Sequence, residues 1–285
     1  MSGSSNGTSR CPHLVRVVLA CIGALVIQGC VEEGAGAMPK PDSQGVRNST
    51  PAPADPTGED DDDDDDDDEV PLKEAKLNIE HNATDLDTGF QGAVDGEGWK
   101  RLDFTAPDGR SVLTIQGRGA LRELGLTELF FETVEPENAE VPIEEILAVL
   151  PEGEYEVEGP TVDGLETEGT ALLTHDIPSG PVLTSPGEGE TVDPGNLVMS
   201  WEPVTRSITG EPINIIRYQL IVETDVEPHP HAIGKLGLSI YVGPSVTSIT
   251  VPAEMLEPGT LYKWEVLAIE ESGNQTLSSS EFETE

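Results

Sequence analysis

The sequence predicts a mostly β protein in which two small β-sandwich-like domains follow a signal peptide and a disordered acidic linker. Aromatic residues are only 4% of the 285 residues, while glycine and proline number 30 and 23. This composition favours small β domains and linkers over a large helical core. A short apolar segment lies near the N-terminus and an acidic run follows it. Alternating apolar and polar residues then recur between turn-forming clusters to the end of the chain.

The chain is strongly acidic, with a formal net charge of −40. A charge of this sign and size excludes direct nucleic-acid binding, because the phosphates would be repelled. The three cysteines, Cys11, Cys21 and Cys30, all lie near the N-terminus. After residue 30 the sequence therefore offers neither a disulfide framework nor a thiol-ligated metal site.

Residues 1–29 have the features of a secretory signal peptide. Basic charge from Arg10 and Arg16 precedes the apolar segment VVLACIGALVI at residues 17–27. Eleven helical residues span about 16 Å, roughly half of a bilayer. A signal peptide is therefore expected here, and a membrane-spanning helix is not.

The segment IQGC, which ends at Cys30, resembles the lipobox of bacterial lipoproteins. In that family the cysteine is lipidated and becomes the first residue of the mature chain. The resemblance implies a cell-envelope lipoprotein anchored through Cys30. In lipoproteins, an aspartate after the lipidated cysteine favours retention at the inner membrane. Here Val31 follows Cys30, so the resemblance implies anchoring to the outer membrane, with the protein periplasmic or surface-exposed. The segment VLAC, which ends at Cys21, also fits the lipobox pattern, but it leaves almost no apolar segment before it. The alternative to a lipoprotein is a secreted protein without a lipid anchor.

Residues 30–71 are predicted to be a disordered acidic tether. Between residues 31 and 70, fifteen acidic residues stand against Lys40 and Arg47, and nine of them are the consecutive aspartates 60–68. Such a segment cannot bury enough apolar surface to offset the entropy of ordering. Weak Ca²⁺ binding by the aspartates is an alternative, although neighbouring side chains of a flexible run do not converge on one ion.

Residues 72–178 are predicted to form a β-rich domain with one short helix. KLNIEH and GEYEVEG alternate apolar and polar residues, and PDG is a turn signal between two strand patterns. In PIEEILAVLP the apolar residues recur at helical spacing from Ile143, after Pro142 and before Pro151. A further helical turn fits the pattern near residues 120–124.

Two segments carry candidate metal ligands. HNATDLDTG places Asn82, Asp85 and Asp87 within six residues and resembles calcium loops of extracellular β modules, but it lacks EF-hand spacing. An ordinary inter-strand turn is the competing interpretation. EPHPH places His229 and His231 two residues apart, where extended imidazoles project the same way and could share a metal ion. Two ligands are too few for a tight site, so a surface loop is the competing interpretation.

Residues 180–285 carry seven short strand patterns, the number expected for a Greek-key sandwich. Three segments, SWEPV, RYQLIVE and LEPGTLYKWEVLAIEESGN, resemble the fibronectin type III domain through Trp201, Tyr218, Leu256, Tyr262 and Trp264. The resemblance covers this whole third of the chain. It implies a tyrosine corner, in which the phenol of Tyr262 hydrogen-bonds to the backbone near residues 256–258. The chain has no Arg-Gly-Asp loop, so integrin-like adhesion is not implied.

No catalytic constellation emerges from the sequence, and no nucleophile motif such as GxSxG is present. The sequence therefore predicts a non-enzymatic envelope lipoprotein, without a cofactor, that acts as a binding or spacer module. The expected partners are the membrane, through the lipid anchor, and an envelope protein or a polysaccharide. The alternative is a Ca²⁺- or metal-binding envelope protein that uses the residues of the two candidate segments.

Overall fold

The computed structural model describes residues 69–226, 228–232 and 235–285. The predicted signal peptide, Cys30 and almost all of the predicted tether lie outside these residues. The described chain is nearly all β, and the predicted fold class, mostly β with two sandwich-like units, is confirmed. No helix in the described part of the chain is long and apolar enough to cross a membrane.

The first half of the described chain contains eight strands: β1 (Glu69–Pro71), β2 (Glu74–Asn82), β3 (Asp87–Trp99), β4 (Arg101–Thr105), β5 (Ser111–Gln116), β6 (Leu126–Glu132), β7 (Gly153–Pro160) and β8 (Glu166–Leu173). Two five-residue helices lie among them, α1 (Ala120–Leu124) and α2 (Ile143–Leu147). Helix α2 begins directly after Pro142 and turns Ile146 into the core.

The second half contains eight further strands: β9 (Leu183–Ser185), β10 (Glu190–Val192), β11 (Val198–Trp201), β12 (Ile215–Thr224), β13 (Gly237–Val242), β14 (Ser248–Thr250), β15 (Leu261–Glu270) and β16 (Gln275–Thr284). One small sheet has the order β14-β11-β9. It packs against the β13-β12-β15-β16 part of a larger sheet, and the indole of Trp264 is fully buried between them.

Sheet order places the other core between β2-β3-β6 and the five-stranded sheet β1-β8-β7-β4-β5. Strand β7 illustrates how the sequence pattern determines which side chains of this core are buried. Tyr155 and Val157 are fully buried, whereas the glutamates on either side of each are exposed. The period of two therefore assigns one face of β7 to the core and the other to solvent.

The two sandwiches share one sheet, because β16 pairs in parallel with β2. Gln275 lies beside Glu80, and Leu277 lies beside Asn82. The sheet order β13-β12-β15-β16-β2-β3-β6 thus runs from one sandwich into the other, with β10 also paired to β16. The sequence predicted two separate units and gave no sign of this pairing.

The first described residues also differ from the sequence prediction. Residues 69–71, which the sequence assigned to the tether, form β1 and pair in parallel with β8. The hydroxyl of Thr167 donates a hydrogen bond of 2.5 Å to the carbonyl of Val70. The first described strand therefore begins at Glu69, the residue that follows the aspartate run.

Candidate functional site

The junction of the two sandwiches is organised around Asn274, which lies in the turn between β15 and β16. Its side-chain oxygen accepts the backbone N–H of Ile79, in β2, at 2.8 Å. Its side-chain nitrogen donates to the carbonyls of Thr174 and Asp176, at 3.0 and 3.1 Å. Asn274 is only 1% exposed, so no bulk water competes for these groups. One amide therefore connects a turn of the second sandwich to a core strand of the first and to the segment after β8.

Further buried contacts strengthen the same connection. The hydroxyl of Thr276 donates to the carbonyl of Pro178 at 2.6 Å, and the hydroxyls of Thr174 and Ser272 lie 2.6 Å apart. The carboxylate of Glu270 accepts the backbone N–H groups of Ser272 and Asn274, which fixes the shape of the turn. Polar groups buried this way are costly to leave without partners, so the junction favours one relative orientation of the two sandwiches.

Three carboxyl groups lie on the outer face of the shared sheet beside this junction. They belong to Glu80 in β2, Glu132 at the end of β6, and Glu135 just after β6; their nearest oxygens are all within 4.8 Å of one another. Glu80 is directly opposite Gly89 of β3. A Cβ on Gly89 would come within 2.7 Å of Cγ of Glu135, so the absence of a side chain there lets Glu135 lie over the strand. We refer to Glu80, Glu132 and Glu135 as the carboxyl cluster.

Two glutamine side chains connect the cluster to the second sandwich. Gln91 of β3 donates to Oε2 of Glu80 at 2.8 Å and to Oε1 of Glu132 at 3.0 Å. Gln275, the first residue of β16, also donates to Oε2 of Glu80, and to the side-chain oxygen of Gln91 at 3.0 Å. Amide N–H groups rather than oxygens thus face Glu80. Such donors suit a carboxyl group, whereas a cation site would present oxygens.

Burial and mutual repulsion shift the acidity of these groups. The pKa of Glu80 is raised to about 7, chiefly by burial. The charges of Glu132 and Glu265 contribute to this rise, and the hydrogen bonds from Gln275 and Gln91 oppose it. Burial also raises the pKa of Glu135 to about 8, with added repulsion from Glu80 and Glu132. The cluster therefore holds protons near neutral pH, where isolated glutamates hold almost none.

Neighbouring charges do not neutralise the cluster. Burial raises the pKa of Asp87 to about 6, and the charge of Asp85 adds to this rise. Lys263 is the nearby cation, and its ammonium lies 2.7 Å from the carboxylate of Glu265. Although burial opposes it, the Glu265 carboxylate raises the pKa of Lys263 and keeps it charged. Lys263 is thus already paired on the same sheet.

Asn82 and Asp85, two of the residues predicted to bind calcium, form a hydrogen-bonded turn. The side-chain oxygen of Asn82 accepts the backbone N–H groups of Thr84 and Asp85, at 2.9 and 3.0 Å, and its nitrogen donates to Asp85. This is the Asx turn that the sequence offered as the competing interpretation. Asp87 begins β3, and its buried Oδ1 has no hydrogen-bond partner within the described residues.

The two histidines predicted as metal ligands lie in the loop between β12 and β13. Their ring centroids are 5.7 Å apart, and Nδ1 of His229 accepts the backbone N–H of His231 at 3.2 Å. Both side chains are exposed. One of the four ring nitrogens is therefore already used inside the loop.

The residues that carry the fibronectin type III resemblance all lie in the core of the second sandwich: Trp201, Tyr218, Leu256, Tyr262 and Trp264. The backbone N–H of Glu257 donates to the hydroxyl of Tyr262 at 2.7 Å, which is the geometry of a tyrosine corner. The backbone N–H of Val204 donates to the hydroxyl of Tyr218 at 2.8 Å. These contacts stabilise the second sandwich.

The sequence did not single out any residue of the carboxyl cluster or either glutamine. The local pattern carries no signal for them, because Glu80 and Gln91 occupy the non-core positions of their alternating strands. Such positions ordinarily face solvent. Glu80 is buried because Gln275, 195 residues away, lies beside it.

Comparisons with known proteins do not assign this chain to a family. No family model matches this chain, and neither does any curated protein. The chain is similar to the chicken CNTN1 FN1–FN3 domains, with 11% identity and a TM-score of 0.31 over 76% of this chain and 64% of that one. It is also similar to trypsin-activated alpha-2-macroglobulin from Escherichia coli, with 13% identity and a TM-score of 0.26 over 74% and 15%. The chain spans less than two thirds of either protein, and similarities this low carry no functional argument.

Proposed function

We propose that this protein is a non-enzymatic lipoprotein of the bacterial cell envelope, whose two sandwiches act together as one rigid spacing and binding unit. The observation that most directly supports one rigid unit is the parallel pairing of β16 with β2. Separate domains on a linker move independently by default, whereas a shared sheet with buried hydrogen bonds fixes their orientation. A unit of fixed orientation is suited to holding a partner at a set distance from a surface.

The proposed attachment is lipid on Cys30, followed by the acidic segment up to the aspartate run. About forty residues of extended chain reach at most about 130 Å. Two or three acyl chains give stable anchoring, because each buried CH₂ contributes about 0.8 kcal/mol. The residue after the cysteine, Val31, supports delivery to the outer membrane.

The proposed partner is an envelope protein or a polysaccharide, and the charge of the described surface favours one that carries cationic groups. Strand β7 exposes Glu154, Glu156 and Glu158, and Glu158 lies directly opposite Glu168 of β8. Like charges placed opposite each other cost stability. A cationic partner would relieve this repulsion, whereas an anionic polysaccharide would increase it.

Metabolic labelling with a fatty acid tests the anchor. Wild-type protein, Cys30→Ala and the matched control Cys21→Ala would be expressed in bacteria and compared for label. We expect label in the wild type and in Cys21→Ala, and none in Cys30→Ala. Equal labelling of Cys30→Ala and the wild type would refute the lipoprotein assignment. A pull-down from intact envelopes with the same full chain then tests for the partner.

Cation binding by Asn82, Asp85 and Asp87, or by His229 and His231, is the competing function. The Asx turn of Asn82 and the bond between the two histidines already use part of each set. Calorimetry of the full chain with Ca²⁺ and with Zn²⁺ separates the two functions. Binding tighter than millimolar would favour the cation function, and its absence would favour the spacer.

A further inference from the structure

The carboxyl cluster lies where the two sandwiches meet, and it has no cation of its own. No lysine or arginine among the described residues forms an ion pair with Glu80, Glu132 or Glu135. Glu80 is 5% exposed and cannot turn toward water without leaving its place beside Gln275. Full ionisation would therefore set three negative charges against one another at the edge of the junction.

We propose that the carboxyl cluster makes the junction of the two sandwiches sensitive to pH, so that protons hold β2 against β16 and ionisation favours opening of this pairing. The pairing is only three residues long, from Gln275 to Leu277 on β16. The side chain of Gln275 donates to Oε2 of Glu80. A displacement of Glu80 by charge repulsion therefore acts on the first residue of the paired segment.

Charged and titratable groups face the cluster from every element around it, and most are acidic. Asp87 in β3 and Glu265 in β15 act on the cluster directly. Asp85 in the turn before β3, Glu137 after β6 and Lys263 in β15 act on Asp87, and His81 is next along β2. The imidazole of His81 is engaged with the carbonyl of Asp87 and the hydroxyl of Thr88. Lys263 is paired with Glu265. None of these groups supplies an unpaired positive charge to the cluster.

The direction of the pH effect follows from the acidity of the groups. Burial beside Gln275 raises the pKa of Glu80 from 4.5 to about 7, although the hydrogen bond from Gln275 opposes this rise. Burial and the charges of Glu80 and Glu132 raise the pKa of Glu135 from 4.5 to about 8. The closed state therefore binds more protons than the open state, and it loses stability as pH rises from about 5 through 8. The hydrogen bonds of Asn274 do not titrate and hold the turn at all pH values. This inference does not use the proposed lipid anchor, so it stands whether or not Cys30 is lipidated.

Hydrogen exchange of the full chain tests the proposal. Protection factors, corrected for the intrinsic effect of pH on exchange, would be measured at about pH 5.5, 7 and 8.5. We expect protection of residues 80–83 and 275–278 to fall about tenfold or more over this range, since one pKa unit corresponds to a factor of ten. Protection of the β12–β15 pairing serves as the internal reference and should change much less.

Three variants and one added ion decide the interpretation. The double variant Glu80→Gln/Glu135→Gln should keep junction protection nearly constant with pH. If it folds poorly, the single variant Glu135→Gln, at the less buried position, replaces it and should show a weaker pH dependence than the wild type. Glu156→Gln on the exposed face of β7 should behave as the wild type. Unchanged wild-type protection across the range, or equal pH dependence in Glu135→Gln and the wild type, would overturn the proposal. Restoration of protection at pH 8.5 by millimolar Ca²⁺ would support it, because a cation at the ionised cluster would remove the same repulsion.

Discussion

The side-chain oxygen of Asn274 accepts the backbone N–H of Ile79 at 2.8 Å, although 195 residues separate them. This bond joins the last turn of the second sandwich to a core strand of the first. The side-chain nitrogen of Asn274 donates two further hydrogen bonds to the segment after β8. Asn274 therefore lies where the chain passes from the first sandwich to the second. The two sandwiches are therefore coupled by a buried polar contact as well as by a shared sheet.

Asn274→Ala should destabilise the protein by about 2–4 kcal/mol. The change leaves the N–H of Ile79 and the carbonyl of Thr174 buried without partners, and each such group costs about 1–3 kcal/mol. Urea unfolding at constant pH measures the loss. The control is Asn196→Ala, whose side chain is exposed and bonds only to Asp193, and it should stay within about 0.5 kcal/mol of wild type. Equal stability of the two variants would contradict the role of Asn274.

The free energy of unfolding should decrease as pH rises from about 5 to 8. Burial raises the pKa of Glu80 from 4.5 to about 7, so its contribution is fully present below pH 4.5 and is lost through pH 7. At about 1.4 kcal/mol for each pKa unit, Glu80 accounts for about 3 kcal/mol of this loss. Glu80→Gln should flatten the curve measured by urea unfolding at a series of pH values. A wild-type curve that rises with pH over this range would show the reverse sign.

His81 should act in the opposite direction at acidic pH. Burial lowers its pKa from 6.5, so its contribution is present above that value and is lost as pH falls through the lowered pKa. Together with Glu80, it predicts greatest stability at mildly acidic pH. His81→Asn should reduce the acid-side loss in the same series of unfolding curves, and an unchanged acid limb would exclude His81 as its cause.

Gly89→Ala should separate Glu135 from Glu80. The new Cβ would lie 2.7 Å from Cγ of Glu135, and this flexible side chain would move away from the strand. We expect a loss of about 1 kcal/mol and a pKa of Glu135 closer to its ordinary value, read from side-chain carboxyl chemical shifts in an NMR titration. Gly243→Ala, where a Cβ meets nothing within 4 Å, is the control. If the pKa of Glu135 were the same in Gly89→Ala as in the wild type, the close contact between Gly89 and Glu135 would be ruled out.

Tyr262→Phe should cost about 1–2 kcal/mol. The phenol accepts the backbone N–H of Glu257 at 2.7 Å in a part-buried position, and its removal leaves that N–H without this partner. Tyr218→Phe, which removes the acceptor for Val204, should cost a similar amount. Thermal unfolding of both variants measures the loss of stability. A Tyr262→Phe variant as stable as the wild type would show that the tyrosine corner does not stabilise the fold.

The sequence predicted the strands well where local pattern decides the structure. Tyr155 and Val157 alternate with glutamates, and this alternation alone assigns the buried face of β7. It could not predict the junction, because Glu80 and Gln275 become neighbours only through pairing between distant strands. Glu80 occupies a position that alternation assigns to solvent, so its burial has no local signal. The short β1 was missed for the same reason, since it gains its structure from β8.

A distance measured across the junction shows whether the two sandwiches are rigidly coupled. Spin labels would be placed at Glu156→Cys in β7 and Ser248→Cys in β14, both exposed, in the full chain with Cys11, Cys21 and Cys30 replaced by serine. Pulsed electron resonance at about pH 6 then gives the distribution of label distances. A shared sheet predicts one narrow distribution, broadened in Asn274→Ala. A broad or two-peaked distribution in the chain that retains Asn274 would contradict rigid coupling of the two sandwiches.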